Sequence, residues 1–291
     1  MRFRTYRKDQ KTGVAAQVGA EWRDIGETSL LELLSTDPDA LKDASRYSGL
    51  PEIDVQTVQL LPPIPRPPKI ICVGLNYLDH AAESPYKELP KYPSFFSRFA
   101  TTLVSDGQPI IRPHLSEELD FEGELVAIIG RRGRYIPKEK ALSHVAGYSI
   151  FNEASIRDYQ FKSSQWTIGK NFDATGAFGP EFVTSDELPP GAAGLEIETK
   201  LNGSVVQQGN TGDLIYSVAD LVSIASDTMT LEPGDVIVTG TPAGIGWART
   251  PRLFMKDGDV CEVRIDGIGV LRNPIRDEDR TTLTQPNALL A

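Results

Sequence analysis

The sequence predicts a mainly β fold with some α-helix: a small α+β N-terminal domain at 1–65, a larger β-rich domain at 69–276 and a C-terminal tail at 277–291. Two observations carry this prediction. Short apolar runs bounded by turn residues recur along the chain, with little sustained helical periodicity. Five prolines fall within the seven residues 62–68, a composition that forms neither helix nor central strand. We therefore predict a stiff, extended linker between the two domains.

The N-terminal domain is predicted to begin with strands and to continue into helix. Short alternating segments predict strands near 2–7, 14–18 and 21–25. One or two helices are predicted from Ser29 to about Ser45. Ser29 is a suitable N-cap, and Glu32 three residues later completes the pattern of a capping box.

The larger domain is predicted to consist mostly of strands and turns. Apolar runs after the linker predict strands at 69–74, 124–129, 147–151, 195–201, 204–208, 235–239 and 259–265. Asn202-Gly203 between two of these runs is a strong signal for a two-residue hairpin. Helices are predicted at 138–145 and 217–227. Helices and strands do not alternate regularly, so a parallel α/β fold is not expected.

Composition limits the classes of partner. The formal net charge is −10 and the pI is about 4.9, and no Lys/Arg stripe is present, so neither nucleic acid nor an anionic membrane is an expected partner. Cys72 and Cys261 lie in apolar runs and are predicted to be buried, reduced thiols. The N-terminus has no apolar signal-peptide core and no long apolar stretch follows, so a cytoplasmic location is predicted.

Paired acids are the strongest indication of chemistry. Glu122 and Glu124 are two residues apart at the start of an apolar run, so a strand would direct both to one face. If the strand ending at Glu153 lies beside this one, a third carboxylate joins them. Two or three adjacent carboxylates repel one another unless a cation compensates, and an oxygen-only set suits Mg²⁺ or Mn²⁺. The alternative is a solvated acidic strand end.

A histidine and a glutamate form a second candidate group. His80 and Glu83 are three residues apart, so on a helix they share a face. In such a pair the carboxylate orients the imidazole and raises its proton affinity, as a general base requires. The alternative is an ordinary surface contact. The other histidines, His114 in a proline-flanked loop and His144 in a helical pattern, are predicted to be structural.

Three further segments carry candidate binding groups. Lys170 lies among glycines and aromatic residues and could bind a substrate carboxylate, although a solvated loop charge is the simpler interpretation. Arg157 and Gln160 follow Glu153 closely enough to line the same cavity. The glycine-rich loop at 240–246 exposes backbone N–H groups that can hold an anion, but it matches neither a P-loop nor a dinucleotide-binding pattern.

Taken together and in this order, these motifs resemble the fumarylacetoacetate hydrolase family of metal-dependent enzymes acting on 2-oxo and 2,4-dioxo acids. The resemblance covers about 69 to 276. It rests on five motifs: Gly74-x-Asn76-Tyr77-x-x-His80-x-x-Glu83, Asp120-Phe121-Glu122-x-Glu124-Leu125, Gly147-Tyr148 through Arg157-Asp158-x-Gln160, Gly169-Lys170 and Gly240-Thr241-Pro242-x-Gly244.

The resemblance implies a rolled β-sandwich catalytic domain, usually dimeric, and often preceded by a small domain like 1–65. It implies that Mg²⁺ or Mn²⁺ is bound by Glu122, Glu124 and Glu153. His80 and Glu83 match the dyad that activates water in related members, and Lys170 matches a group that acts on the substrate. The positions implied for substrate binding are Tyr77, Arg98, Arg157, Gln160 and Thr241.

Two positions depart from the family pattern. The third metal ligand is normally an aspartate, where this chain has Glu153, and a lysine is common where it has Arg98. The extra methylene of glutamate extends the carboxylate by about one bond length, so the metal shifts, a water intervenes, or the affinity falls. Arginine presents a planar fork instead of a point charge. Either difference could change which substrate the site accepts.

The leading prediction is metal-dependent hydrolytic cleavage of a C–C bond in an acylpyruvate-like 2,4-dioxo acid, through an enolate, in the catabolism of aromatic or sugar-acid compounds. The expected partners are a small anionic 2-oxo acid and a second copy of the chain in a homodimer. Decarboxylation, isomerisation or hydration at the same site is the enzymatic alternative. A small-molecule binding protein on the same scaffold is the non-enzymatic one. The sequence leaves the substrate's acyl group and the native metal open.

Overall fold

The computed structural model describes residues 1–83 and 91–279, and its strands outnumber its helices. The strands are β1 (Arg2–Lys8), β2 (Lys11–Val18), β3 (Glu21–Gly26), β4 (Gln59–Leu60), β5 (Ile70–Gly74), β6 (Ser94–Ser97), β7 (Leu103–Val104), β8 (Ile110–Arg112), β9 (Leu119–Asp120), β10 (Gly123–Ile129), β11 (Val145–Glu153), β12 (Ser155–Ile156), β13 (Gly176–Thr184), β14 (Glu196–Leu201), β15 (Ser204–Asn210), β16 (Val236–Val238), β17 (Val260–Ile265) and β18 (Gly269–Asp277).

The helices are short. The α-helices are α1 (Leu30–Thr36), α2 (Leu78–Glu83), α3 (Lys138–Ala141), α4 (Arg157–Gln160), α5 (Thr167–Lys170) and α6 (Val218–Thr228). Single turns of 3₁₀ helix occur at Ala40–Lys42, Ala44–Arg46, Ala100–Thr102, Leu142–His144, Ser185–Glu187, Pro190–Ala192, Thr211–Asp213 and Gly246–Ala248. The mainly β fold that the sequence predicts is thus confirmed.

Within the described residues the strands form three sheets. The largest has eleven strands in the order β3-β2-β1-β13-β11-β10-β16-β5-β6, with β4 beside β1 and β7 beside β13. A five-stranded sheet has the order β15-β14-β17-β18-β8, and β12 pairs with β9 in the third. The predicted hairpin at Asn202-Gly203 is present between β14 and β15, and both residues have the positive φ that such a turn requires.

The β10 strand is buried on both of its faces. Leu125 and Ala127 belong to an apolar cluster shared with β14, β17 and α6, whereas Val126 and Ile128 pack in a second cluster with α1. The large sheet therefore lies between two layers, and the strand that follows Glu122 has no solvated side. Any charged group at its start is held in a dry environment.

The N-terminal segment is part of the large sheet. The β1 strand pairs antiparallel with β13, with Phe3 opposite Phe182, and Phe3 packs in the same cluster as Val126. The predicted division into 1–65 and 69–276 stays a prediction about domains. The structure adds that the two segments share hydrogen bonds and one apolar cluster.

The predicted helix start at Ser29 is confirmed, but its cap and the start of the C-terminal tail differ in detail from the prediction. Ser29 accepts a hydrogen bond from the Glu32 N–H at 3.1 Å, but the Glu32 carboxylate accepts from the Thr28 hydroxyl at 3.0 Å, so only half of the expected capping box is present. The strand β18 extends to Asp277, inside the predicted tail. Positions 280–291 of that tail lie outside the described residues. None of the helices in the described ranges has the length and hydropathy needed to cross a bilayer.

Candidate active site

Three carboxylates meet at one edge of the paired strands β10 and β11. In the antiparallel register Gly123 lies opposite Asn152, and the Glu153 N–H donates to the Glu122 carbonyl at 2.8 Å. One ligand oxygen from each of Glu122, Glu124 and Glu153 lies within 4.8 Å of the others, and all three residues are buried. The strand-pairing hypothesis made from the sequence is therefore confirmed.

Two basic side chains compensate part of this negative charge. The Lys170 ammonium donates to Glu122 at 2.8 Å and also to Glu153, and the Arg157 guanidinium lies 2.6 Å from the other Glu122 oxygen. Burial raises the pKa of the Glu122 carboxyl, but the charges of Lys170 and Arg157 outweigh burial and lower it well below the usual value. Glu122 is therefore held as a carboxylate.

Glu124 lacks such a partner among the described side chains. It accepts a hydrogen bond from the Gly240 N–H, but burial, and then the negative charges of Glu153 and Glu122, raise its pKa well above the usual value. Burial also raises the pKa of Glu153 to about 7, although Lys170 and Arg98 oppose this effect. Burial and repulsion between the carboxylates thus oppose ionisation of Glu124 and Glu153, although Lys170, Arg157 and Arg98 lie beside the cluster.

A divalent cation fits this donor set. The ligand atoms are all carboxylate oxygens, which suit hard ions such as Mg²⁺ or Mn²⁺. A 2+ charge would also favour the ionised forms of the two acids whose pKa values are raised. Glu122 and Glu124 line the adjacent cavity, whereas Glu153 lies behind them, in contact with Lys170 and Arg98.

The two residues that depart from the family pattern, Arg98 and Glu153, face each other in this structure. Arg98 Nη1 lies 3.1 Å from Glu153 Oε1 without hydrogen-bond geometry, and both side chains are fully buried. Arg98 Nη2 is fixed by the Ala154 carbonyl at 3.1 Å and the Thr175 hydroxyl at 2.8 Å. Arg98 does not line the cavity, so its predicted contact with substrate stays a prediction. What the structure shows is its contact with Glu153.

The predicted His80–Glu83 pair forms on α2. His80 Nδ1 lies 3.5 Å from Glu83 Oε2, and the His80 side chain lines the cavity. Both Glu83 oxygens accept the Gly244 N–H, at 2.8 and 3.0 Å. Gly244 has a φ of +103°, and an added Cβ would lie 2.4 Å from the Val206 carbonyl oxygen. The glycine-rich loop therefore anchors the Glu83 carboxylate beside His80 Nδ1, which has no hydrogen bond among the described residues.

The remaining predicted site residues divide into two groups. Gln160 and Thr241 line the cavity with Arg157 and Lys170, and Gln160 accepts from Arg157 Nη1 at 2.8 Å. Tyr77 is buried and does not line the cavity. His114 and His144 lie elsewhere, against Glu278 and the Arg131 carbonyl, consistent with the structural roles predicted for them.

Sequence reasoning missed Asp120 as a positioning residue. Its fully buried carboxylate accepts from Arg157 Nε at 2.8 Å and from the N–H groups of Gly246 and Trp247 at 2.8 and 2.9 Å. It therefore fixes both the arginine that faces Glu122 and the loop that borders the cavity. Its place two residues before Glu122, in the Asp120-Phe121-Glu122 motif, is the signal that could have identified it.

Known proteins are similar to this chain over most of its length. The family model described as fumarylacetoacetate (FAA) hydrolase C-terminal matches residues 69–276. A relative named mitochondrial oxaloacetate tautomerase fahd2, from Xenopus laevis, is 37% identical over 277 residues, covering 89% of this chain and 86% of its own length.

Solved structures agree with this result. A fumarylacetoacetate hydrolase from the psychrophilic Exiguobacterium antarcticum has a TM-score of 0.83 and 35% identity, covering 96% of this chain and all of its own. A 2-hydroxyhepta-2,4-diene-1,7-dioate isomerase from Mycobacterium marinum has a TM-score of 0.77 and 32% identity with the same coverage.

Proposed function

The chain belongs to the fumarylacetoacetate hydrolase family, and from this premise we propose that it is a metal-dependent enzyme that interconverts the enol and keto forms of a small anionic 2-oxo acid. The observation that carries the proposal is the cluster of Glu122, Glu124 and Glu153 with the Lys170 ammonium against two of its carboxylates. A tautomerase and an isomerase among the similar proteins support the choice of a proton-transfer reaction.

The site residues divide the chemistry between them. A divalent cation held by Glu122 and Glu124, with Glu153 behind them, would act as a Lewis acid toward the substrate's carboxylate and 2-oxo oxygens. Lys170 stabilises negative charge that develops on the 2-oxo oxygen, the interaction expected to dominate. His80, oriented by Glu83, takes or gives the proton at the neighbouring carbon. Gln160 and Thr241 line the cavity where the substrate carboxylate binds.

Hydrolytic C–C cleavage of a 2,4-dioxo acid is the second candidate. The His80–Glu83 pair favours it, because an imidazole oriented by a carboxylate can deprotonate a water that attacks the 4-carbonyl. Breaking the C3–C4 bond then releases the same kind of pyruvate enolate, which Lys170 stabilises. Both reactions use one site and differ in whether water or only a proton is transferred.

The experiment that decides between them follows the enol absorbance of several 2-oxo acids with Mg²⁺ or Mn²⁺ and identifies the products by NMR. A single keto product that retains all carbons supports tautomerisation, whereas two fragments support hydrolysis. The proposal would be contradicted if none of the 2-oxo or 2,4-dioxo acids shows a metal-dependent loss of its enol.

A homodimer and a cytoplasmic location remain part of the proposal. Ultracentrifugation tests the first and cell fractionation tests the second.

Replacing Arg98 tests the buried pair described above. Arg98→Met leaves one Glu153 oxygen without its cation, so the free energy of unfolding of the metal-free protein should fall by about 3 kcal/mol. The double variant Arg98→Met with Glu153→Gln should lose less than the sum of the single variants, with a coupling of at least about 1 kcal/mol. Urea unfolding measures both values. Strict additivity would show that the two side chains do not stabilise each other.

A further inference from the structure

Four aromatic side chains border the cavity beside the charged groups, and we call Phe96, Phe161, Trp166 and Trp247 the aromatic wall. The rings of Phe96 and Trp166 meet edge to face at 5.6 Å, and those of Phe161 and Trp247 lie 5.0 Å apart. The Lys170 ammonium is 5.3 Å from the Phe96 ring. The aromatic wall therefore adjoins the group that is expected to face the 2-oxo acid.

The aromatic wall is held in place by the backbone. The Trp247 N–H donates to Asp120 at 2.9 Å. The Trp166 ring packs so closely on Gly74 that an added Cβ would lie 2.1 Å from it. The Trp166 ring is thus held by a contact that leaves little room for rearrangement, and the main chain at Trp247 is anchored, so the wall presents a preformed apolar surface to a ligand.

The cations around the cavity are already paired. In the ranges 1–83 and 91–279, Arg157 and Lys170 are the basic residues that line it, and each contacts Glu122. Arg249 is bonded to the carbonyls of Gly244 and Val206, while Arg252 stacks on Trp247 and lies 3.4 Å from Glu118. Among the described residues, a second substrate carboxylate against the aromatic wall would lose water and would meet only cations that already have partners, with Arg252 shared with Glu118.

The cavity places an organic acid within reach of this surface. Its empty volume is about 530 Å³, part of it open to solvent, and Glu122, Glu124 and the aromatic wall line the same space. The 2-oxo acid head must bind beside the carboxylates, so its substituent extends to the aromatic wall. We propose that the substrate is a monocarboxylic 2-oxo acid with an apolar substituent that packs on Phe161, Trp166 and Trp247. This inference rests on the proposed function and specifies its substrate class.

Two probes with the same head group test the inference. Phenylpyruvate and oxaloacetate are 2-oxo acids that carry a phenyl ring and a carboxylate, respectively, on carbon 3. With the full chain and saturating Mn²⁺, kcat/KM for ketonisation of the phenylpyruvate enol should exceed that of the oxaloacetate enol at least about tenfold. Equal values, or a preference for oxaloacetate, would overturn the inference and leave the proposed function standing.

Variants of Trp247 locate the source of the preference. Trp247→Arg introduces a cation and should reduce the ratio of the two kcat/KM values at least about tenfold, whereas Trp247→Phe should keep the preference for phenylpyruvate. Trp22→Phe, on β3, is the matched control and should match the wild type. The inference is wrong if Trp247→Phe and Trp247→Arg each lower kcat/KM for both substrates by the same factor. The aromatic wall would then only exclude water.

Binding measurements separate failure of the inference from failure of the proposed function. If neither enol is converted faster than in buffer, the proposed reaction is wrong, and calorimetric titration of the Mn²⁺-loaded protein then decides the inference. The inference would be supported if phenylpyruvate binds more tightly than oxaloacetate and quenches tryptophan fluorescence. The Trp22→Phe variant should show the same quenching. Equal or weaker binding of phenylpyruvate would overturn the inference.

Discussion

Lys170→Met is expected to lower kcat about 10²- to 10³-fold, because it removes a preorganised positive charge from the oxygen on which negative charge develops. In the structure the ammonium donates to Glu122 and Glu153, so it is fixed before any substrate binds. Burial lowers the pKa of this amine, but Glu122 and Glu153 outweigh burial and raise it, so the amine stays protonated. Steady-state kinetics on the metal-loaded variant measure the effect.

A partly exposed lysine away from the cavity provides the matched control for that variant. Lys200 on β14 lies 2.8 Å from Glu198, and its replacement by methionine should leave kcat unchanged. Circular dichroism of Lys170→Met should show a folded protein, because bound metal compensates the two carboxylates that lose a cation. If the Lys170→Met protein is folded and metal-loaded and has the wild-type kcat, Lys170 has no role in the reaction.

His80→Ala is expected to lower kcat about 10²- to 10⁴-fold, the range typical of a lost general acid–base group. His80 lines the cavity but offers no atom to the carboxylate cluster, so Mn²⁺ affinity measured by calorimetry should stay close to the wild-type value. Glu83→Gln should have a smaller effect in the same direction, because the amide no longer stabilises the imidazolium. His144→Ala is the control, because this imidazole lies away from the cavity, with Nδ1 against the Arg131 carbonyl.

A different pattern would contradict this role. If His80→Ala loses metal and activity together, the imidazole acts as a ligand or as part of the metal site. If it retains full turnover, the proton is carried by another group, and the contact between His80 and Glu83 is structural.

The carboxylate cluster could be predicted from the sequence because strand geometry alone determines it. Glu122 and Glu124 share a face by the two-residue period, and a buried neighbour strand ending at Glu153 brings the third acid beside them. The His80–Glu83 pair follows from helical spacing in the same way. These predictions depend only on local periodicity and on one strand pairing.

Other features depend on contacts between distant parts of the chain. The pairing of β1 with β13 joins Phe3 to Phe182, and nothing in the local pattern of either strand indicates this partner. The aromatic wall draws on strand β6 at Phe96, on a 3₁₀ turn at Trp247 and on the ends of short helices at Phe161 and Trp166, and no local periodicity marks these residues as one face. The family resemblance implies substrate binding by Arg98, and its contact with Glu153 depends on tertiary packing that the local sequence does not indicate.

The most direct test of the central claim is calorimetric titration of metal-free protein with Mn²⁺, combined with turnover before and after chelation. We expect one ion per chain, at least about tenfold weaker binding in Glu124→Gln, and activity that disappears with the chelator and returns with added metal. Full turnover by protein that elemental analysis shows to be free of metal would contradict the account.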